Sequence, residues 1–226
     1  MARDFLKLER VLSKSRFDSY KQNVKTEAEA FYLYAWNTML CESLYVSFQI
    51  LEVGVRNAIH EEVARVFGDN EWIKNEHAQL LDYEKQAIKE AKISLNKRMV
   101  PCDEPHLVAE MHFGFWTSLS DSRYETLWHK IILGVFPNIP KIFKTRAEIS
   151  KRMSAARKLR NAALHHHSIW HWKDLKHQHH EIRNLIRWIC PTLDEMAYNI
   201  DRFPKVYRQG SKECARIAGE PLEYEI

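Results

Sequence analysis

The stretch TEAEAFYLYAWNTMLCESLYVSFQILEVGVRNAIHEEVARVFG, residues 26–68, decides the fold class. Thr26 and Glu29 stand in the Ser/Thr-x-x-Glu relation, in which a cap hydroxyl and a glutamate each satisfy the other's backbone donor at the start of a helix. Beyond them Leu44, Phe48, Leu51, Val55, Ile59, Val63 and Val66 step by three and four, the period of one helical face. Only Gly54 interrupts, and Gly68 stands where a left-handed helix cap belongs. The spacing predicts one long helix over about residues 27–66.

The same grammar recurs outward from that helix. Ser122/Glu125, Thr145/Glu148 and Thr192/Glu195 repeat the capping pattern. Leu81, Ile88, Ala91 and Leu95 mark a second amphipathic helix running to about Lys97, which the Pro101–Pro105 stretch breaks. Pro105 suits a first helical position for a short helix to His112, after which Gly114 turns the chain toward a capped helix at 122–135. Pro137 and Pro140 form a loop. A helix is then expected from Thr145 to about His166, another from about Trp172 to Cys190, where Pro191 stops it, and short ones near 192–201 and 211–218. With 6 Gly and 7 Pro in 226 residues and no period-2 alternation, a many-turned β-sandwich is excluded. The expected fold is all-α: one helical domain over residues 1–226, with a long N-terminal helix and peripheral short helices.

A chain this long buries about 70% of its unfolded surface and needs no disulfide staple. Cys41, Cys102, Cys190 and Cys214 contain no CxxC pair and are read as idle thiols of a reducing compartment. The first ten residues mix charge into every turn, unlike a signal peptide, and no apolar run has the length of a membrane span. A cytoplasmic protein without a membrane partner is expected.

Charge is distributed unevenly. The net is +4, yet Lys141–Cys190 holds twelve Lys/Arg against three acids, a block of +9 on a remainder of −5. Seven of the twelve histidines fall in the same block. That is the footprint of a polyanion binder, with Lys144, Lys151, Arg152, Arg157 and Lys158 as the candidate contacts to it. Within it, Leu159-Arg-Asn-Ala-Ala-Leu-His-His-His-Ser-Ile-Trp170 puts a guanidinium, an amide and a run of imidazoles together. Imidazole exchanges protons near neutrality and guanidinium holds phosphate by paired hydrogen bonds, a combination suited to phosphodiester chemistry without a metal.

Arg160-Asn161-x-x-x-His165 resembles the RNxxxH signature of the HEPN ribonuclease superfamily. Leu33-Tyr-Ala-Trp36-Asn37, Leu51-Glu52 with Arg56-Asn57, Phe113-Gly114-Phe115-Trp116 and Leu127-Trp128 precede it in an order similar to that of the bacterial abortive-infection (Abi-like) branch. The resemblance covers about Phe17 to Cys190. It implies a HEPN-type helical fold and metal-independent cleavage of single-stranded RNA in phage defence or a toxin–antitoxin pair. Arg160, Asn161 and His165 would be catalytic, with RNA as substrate and a small noncoding RNA or a protein antitoxin as restraint. The chain departs from the family pattern at Ala162 and at His167-Ser168, where relatives carry a longer residue and a Glu-Pro pair. Those departures support the alternative of a non-catalytic RNA-binding module.

Helical arithmetic sets Arg160 and His165 about 140° apart on an ideal helix, so Arg160 must reach around or the helix must loosen. His167, seven residues on, would stack under Arg160, and His166 and His167 are accessory candidates. On the long helix Glu52, Arg56 and His60 form an i,i+4 ladder beside Asn57. This reads either as bracing through an intrahelical Glu52–Arg56 ion pair or as a group that orients Arg160 or lines the RNA cleft. His167/His171 and His177/His180 have ligand spacing, yet only Asp174 and Glu181 accompany them, so neither a metal nor any other cofactor is expected. Phe113, Phe115, Trp116, Trp128, Trp170, Trp172 and Trp188 are read mainly as core packing, with base stacking as the other use. One RNxxxH segment per chain supplies one imidazole, which points to a homodimer.

Overall fold

The structure, a computed structural model, describes residues 5–75 and 79–219. Among them every regular element is helical. In chain order these are α1 (Phe5–Leu12), α2 (Lys14–Lys21), α3 (Glu27–Phe67), α4 (Asp82–Lys97), α5 (Glu104–Glu110), α6 (Phe113–Ser118), α7 (Glu125–Val135), α8 (Arg146–Leu164), α9 (Leu175–Ile189), α10 (Pro191–Ile200) and α11 (Phe203–Gly219). Short 3₁₀ turns lie at Ser122–Tyr124 and Lys141–Phe143. None of these helices is long and apolar enough to cross a membrane.

The long helix forms as the sequence predicts. Glu29 N–H donates to Thr26 Oγ1 at 3.1 Å, and Thr26 N–H donates back to Glu29 Oε2 at 3.1 Å. Its apolar stripe is buried from Leu33 to Val63, and Gly68 at φ +67° ends it. Other caps differ from expectation. At Thr145 the Glu148 N–H donates to the threonine hydroxyl, while the Glu148 carboxylate turns to Arg152. The Ser122/Glu125 box does not form, because Asp121 accepts from Arg123 N–H and starts a 3₁₀ turn instead. Thr192 lies inside α10, which Pro191 opens. Gly114 is not a turn but part of α6, whose cap is the ring nitrogen of His112. The expected 211–218 helix is the second half of α11, which starts at Phe203 and kinks at Gly210 (φ +67°).

The chain divides into two compact units, each discontinuous in sequence. Of the described residues, one unit holds those up to Tyr45, Ala162–Lys176 and those from Asp201 onward; the other holds those within Val46–Asn161 and His177–Ile200. In the first, Phe17, Tyr20, Ala30 and Leu33 form a core on which Tyr34 and Trp170 pack. Trp36 Nε1–H donates to Val206 O at 3.0 Å, tying α11 to α3. In the second, Trp72 stacks on Phe115 with ring centroids 6.4 Å apart, and Trp116 meets both edge-on. Trp72 and Trp128 satisfy their indole N–H groups on the carbonyls of His60 and Leu119, as buried indoles require. The buried Asp194 carboxylate holds Arg183 at 2.6 Å and Arg187 at 2.8 Å, joining α9 to α10.

Candidate functional site

The histidine run is not helical. Helix α8 stops at Leu164, and His167 N–H donates to Ala162 O at 2.8 Å while His166 N–H donates to Ala163 O at 3.2 Å. This pair of bonds is the Schellman closure, with His165 as C-cap and His166 at the left-handed position, φ +60°, where glycine is usual. The angular relation that placed His167 beneath Arg160 therefore does not apply, because no helix continues to carry it. His165, His166 and His167 are all exposed. The turn is fixed by a residue whose role the sequence did not disclose. Asn37, 4% exposed on α3, accepts from Ile169 N–H (2.8 Å) and Trp170 N–H (3.1 Å) and donates to His167 O (3.3 Å). Ser168 donates to Tyr20 Oη at 3.1 Å. An amide among Leu33, Leu40 and Leu44 on an apolar face was the available signal, since a buried amide must find partners.

Arg160 and Asn161 belong to the other unit. Ser154, Arg157, Lys158 and Asn161 recur at i, i+3, i+4 and i+7 on one face of α8 and, with Arg160, line a cavity of about 410 Å³. Its far side is Tyr83 from α4 and the His112–Gly114 start of α6. Arg160 Nη1 donates to Asn161 Oδ1 at 3.3 Å, Nη2 pairs with Glu52 at 3.3 Å, and the buried Nε has no partner. The cavity thus presents cationic and amide donors on one wall, the composition of an anion site.

The ladder on α3 does not close on itself. Glu52 turns to Arg160, Arg56 Nε donates to its neighbour Asn57 at 3.3 Å, and His60 Nε2 meets Glu104 at 2.8 Å while stacking on Trp72. Of the two readings of Glu52, the one in which it orients Arg160 agrees with this pairing. Glu104 also accepts from Ile73 N–H and Lys74 N–H, so His60 belongs to a structural knot that anchors the loop after α3.

Much of the basic block is neutralised by carboxylates, those of Glu52, Glu125 and Asp194 from outside it and those of Glu148 and Glu181 from within. Of its twelve cations, Arg146 pairs with Glu125, Arg152 with Glu148 and Glu181, Arg160 with Glu52, and Arg183 and Arg187 with Asp194. Arg152 also lies 4.4 Å from the Phe143 ring centre and 5.3 Å from that of Trp188. That guanidinium braces α8 against α9 rather than facing solvent, which corrects its reading as an RNA contact. Lys144, Lys151 and Lys158 are exposed, and Arg157 is half-buried at the cavity.

Among the described residues no group of three His, Cys, Asp or Glu side chains is placed to hold a metal ion. All four cysteines are free thiols. Burial pushes the Cys41 thiol up to about 11 and raises that of Cys214 as well. Phe113, Phe115, Trp116, Trp128 and Trp188 are buried, as core packing requires. No family model, curated protein or solved structure matches this chain.

Proposed function

We propose that the chain is a HEPN-type endoribonuclease of the Abi-like group, acting on single-stranded RNA in the cytoplasm as part of a phage-defence or toxin–antitoxin system. The observation that supports this reading most is the convergence of Arg157, Lys158, Arg160 and Asn161 on one cavity. Phosphoryl transfer needs fixed positive charge where the phosphoryl oxygens gain charge, and a cavity wall of this composition supplies it.

In the proposed reaction the RNA 2′-oxygen bonds to the adjacent phosphorus as the bond from phosphorus to the 5′-oxygen breaks. The proton leaving the 2′-hydroxyl is taken by a base, and an acid protonates the departing 5′-oxygen. His165 exchanges these protons, Arg160 neutralises the phosphoryl oxygens, and Asn161 holds the guanidinium or the phosphate. Glu52 positions Arg160 through their 3.3 Å ion pair. One imidazole cannot take and give a proton in the same step, so the complete site is a homodimer that contributes two Arg160/His165 sets. His60, on α3, is engaged by Glu104 and so does not serve as a second imidazole within one chain. An RNA or protein antitoxin would restrain the enzyme by covering the same cationic residues.

The test is incubation of the pure protein with mixed RNA in EDTA. Products ending in 2′,3′-cyclic phosphate and 5′-hydroxyl, lost in Arg160→Ala and His165→Ala, are expected. Cleavage that requires a divalent metal and leaves 5′-phosphates overturns the mechanism. Sedimentation with and without RNA checks the dimer, and an active monomer under both conditions overturns it.

A second reading, a non-catalytic RNA-binding module, is favoured by one observation: Arg160 is already paired with Glu52, which lowers its charge toward a reacting phosphate. Tight RNA binding without cleavage, unchanged in His165→Ala, is the outcome that selects it.

A further inference from the structure

The wall of the cavity facing α8 carries chemistry that the ribonuclease signature does not contain. His112 Nδ1 accepts a hydrogen bond from Phe115 N–H at 3.1 Å. A ring nitrogen that accepts carries no proton, so the neutral imidazole must hold its proton on Nε2. The backbone of α6 thereby fixes one tautomer of a histidine that lines a cationic cavity. In that state the ring is a hydrogen-bond donor, not a proton carrier, because giving up the Nε2 proton would leave an imidazolate.

Tyr83 stands beside it. Its ring is half exposed and its centre lies 6.5 Å from that of His112, with the two planes inclined by 56°. Gly114 makes room for both. A Cβ there would fall 2.9 Å from His112 Nδ1, closer than Cβ atoms approach a neighbour, and 3.0 Å from Tyr83 Oη, tighter than ordinary contact. The cavity volume of about 410 Å³ lies in the range of small-ligand sites, about 300–1,000 Å³.

The geometry points to a mononucleotide subsite. The phosphate is held between Arg157 and Arg160 on one wall and the Nε2–H of His112 on the other, while the base stacks on the exposed face of Tyr83. This inference deepens the ribonuclease reading and rests on it for the identity of the ligand, one nucleotide of a single-stranded RNA. It adds His112, Gly114 and Tyr83 to the residues that select and orient that strand. His112 acts there by donating a hydrogen bond to phosphate.

The experiment is titration of the full-length chain with inorganic phosphate, uridine and uridine 5′-monophosphate, followed by calorimetry and by amide chemical shifts. The nucleotide is expected to bind in the millimolar range or tighter, inorganic phosphate more weakly, and uridine weakest. His112→Asn retains a side-chain acceptor for the α6 cap and removes the ring donor, so helix content stays unchanged while phosphate and nucleotide affinity each fall about tenfold. Tyr83→Leu lowers nucleotide affinity about tenfold and leaves inorganic phosphate within twofold. Gly114→Ala, which disturbs both partners, weakens both ligands and serves as an independent variant should His112→Asn fail to fold. The inference is overturned if native protein binds neither phosphate nor nucleotide, or binds them equally well after His112→Asn and Gly114→Ala. The two readings separate cleanly. Nucleotide binding that depends on His112 in a protein that cleaves no RNA retains the subsite and removes the nuclease. RNA cleavage without nucleotide binding does the reverse.

Discussion

His166 shows how a single backbone angle decides where a site residue stands. Its φ of +60° closes the Schellman turn, and a side chain in that region is strained by contact of Cβ with the backbone. Replacement by glycine removes the strain at some cost in unfolded-state entropy, so His166→Gly should gain about 0.5–1 kcal/mol in urea unfolding. Cleavage, if it depends on His165, should survive the same change. This turn was not legible in the sequence, which offered no glycine after Leu164 and so let the helix appear to run on to His166. Asn37 gave only half a signal: an amide on an apolar face must find partners, but nothing local tells it that they lie more than a hundred residues away. Cys41, one turn further along α3, offers a second check at this scale. Only thiolate reacts with iodoacetamide, and burial holds the thiol pKa near 11. Alkylation of native Cys41 should therefore be very slow at pH 8, rise as pH approaches 11, and become fast at pH 8 in urea; rapid native labelling at pH 8 would contradict the burial.

Helix α3 was the most legible element, since its period and its Thr26/Glu29 cap agreed. For Gly54 the sequence showed only an interruption, and the structure shows an available space. A Cβ there would sit 3.5 Å from Ile189 and 3.6 Å from Leu193, ordinary contact distances. Gly54→Ala should accordingly stabilise the protein by about 0.5–1 kcal/mol through helix propensity, read as a rise in denaturation midpoint without a change in m-value. Charge on α8 was less legible, because a sequence count cannot know that Glu52, Glu125 and Asp194 come from elsewhere to pair with its cations and those of α9. The prediction follows from which cations remain exposed. Lys144→Glu with Lys151→Glu should flatten the salt dependence of RNA binding, each lost phosphate contact removing about 0.7 log units per tenfold salt for a single strand. Arg152→Glu should instead lower thermal stability, since it opposes Glu148 and Glu181 and breaks the stack on Phe143 and Trp188. A destabilised double-lysine variant with an unaltered salt slope would reverse this assignment.

Over the whole molecule, the class of fold was readable from composition and period, but the way the chain is partitioned was not. A sequence is read in order, whereas each unit is assembled from separated segments. That interleaving has a consequence for biosynthesis. The turn bearing His165–His167 is clamped by Asn37, some 130 residues upstream, and α3 is in turn fastened through Trp36 to Val206, 170 residues downstream. Contacts of such separation form late, because the loop they close must lose its freedom first. During translation Tyr20 and Asn37, both made before the histidine turn, can meet it as soon as it emerges, whereas Trp36 on the same helix as Asn37 must wait for Val206. The helix that carries Asn37 is therefore fastened at Trp36 only once the ribosome has translated through Val206, so the C-terminal segment completes a clamp that the N-terminal segment begins.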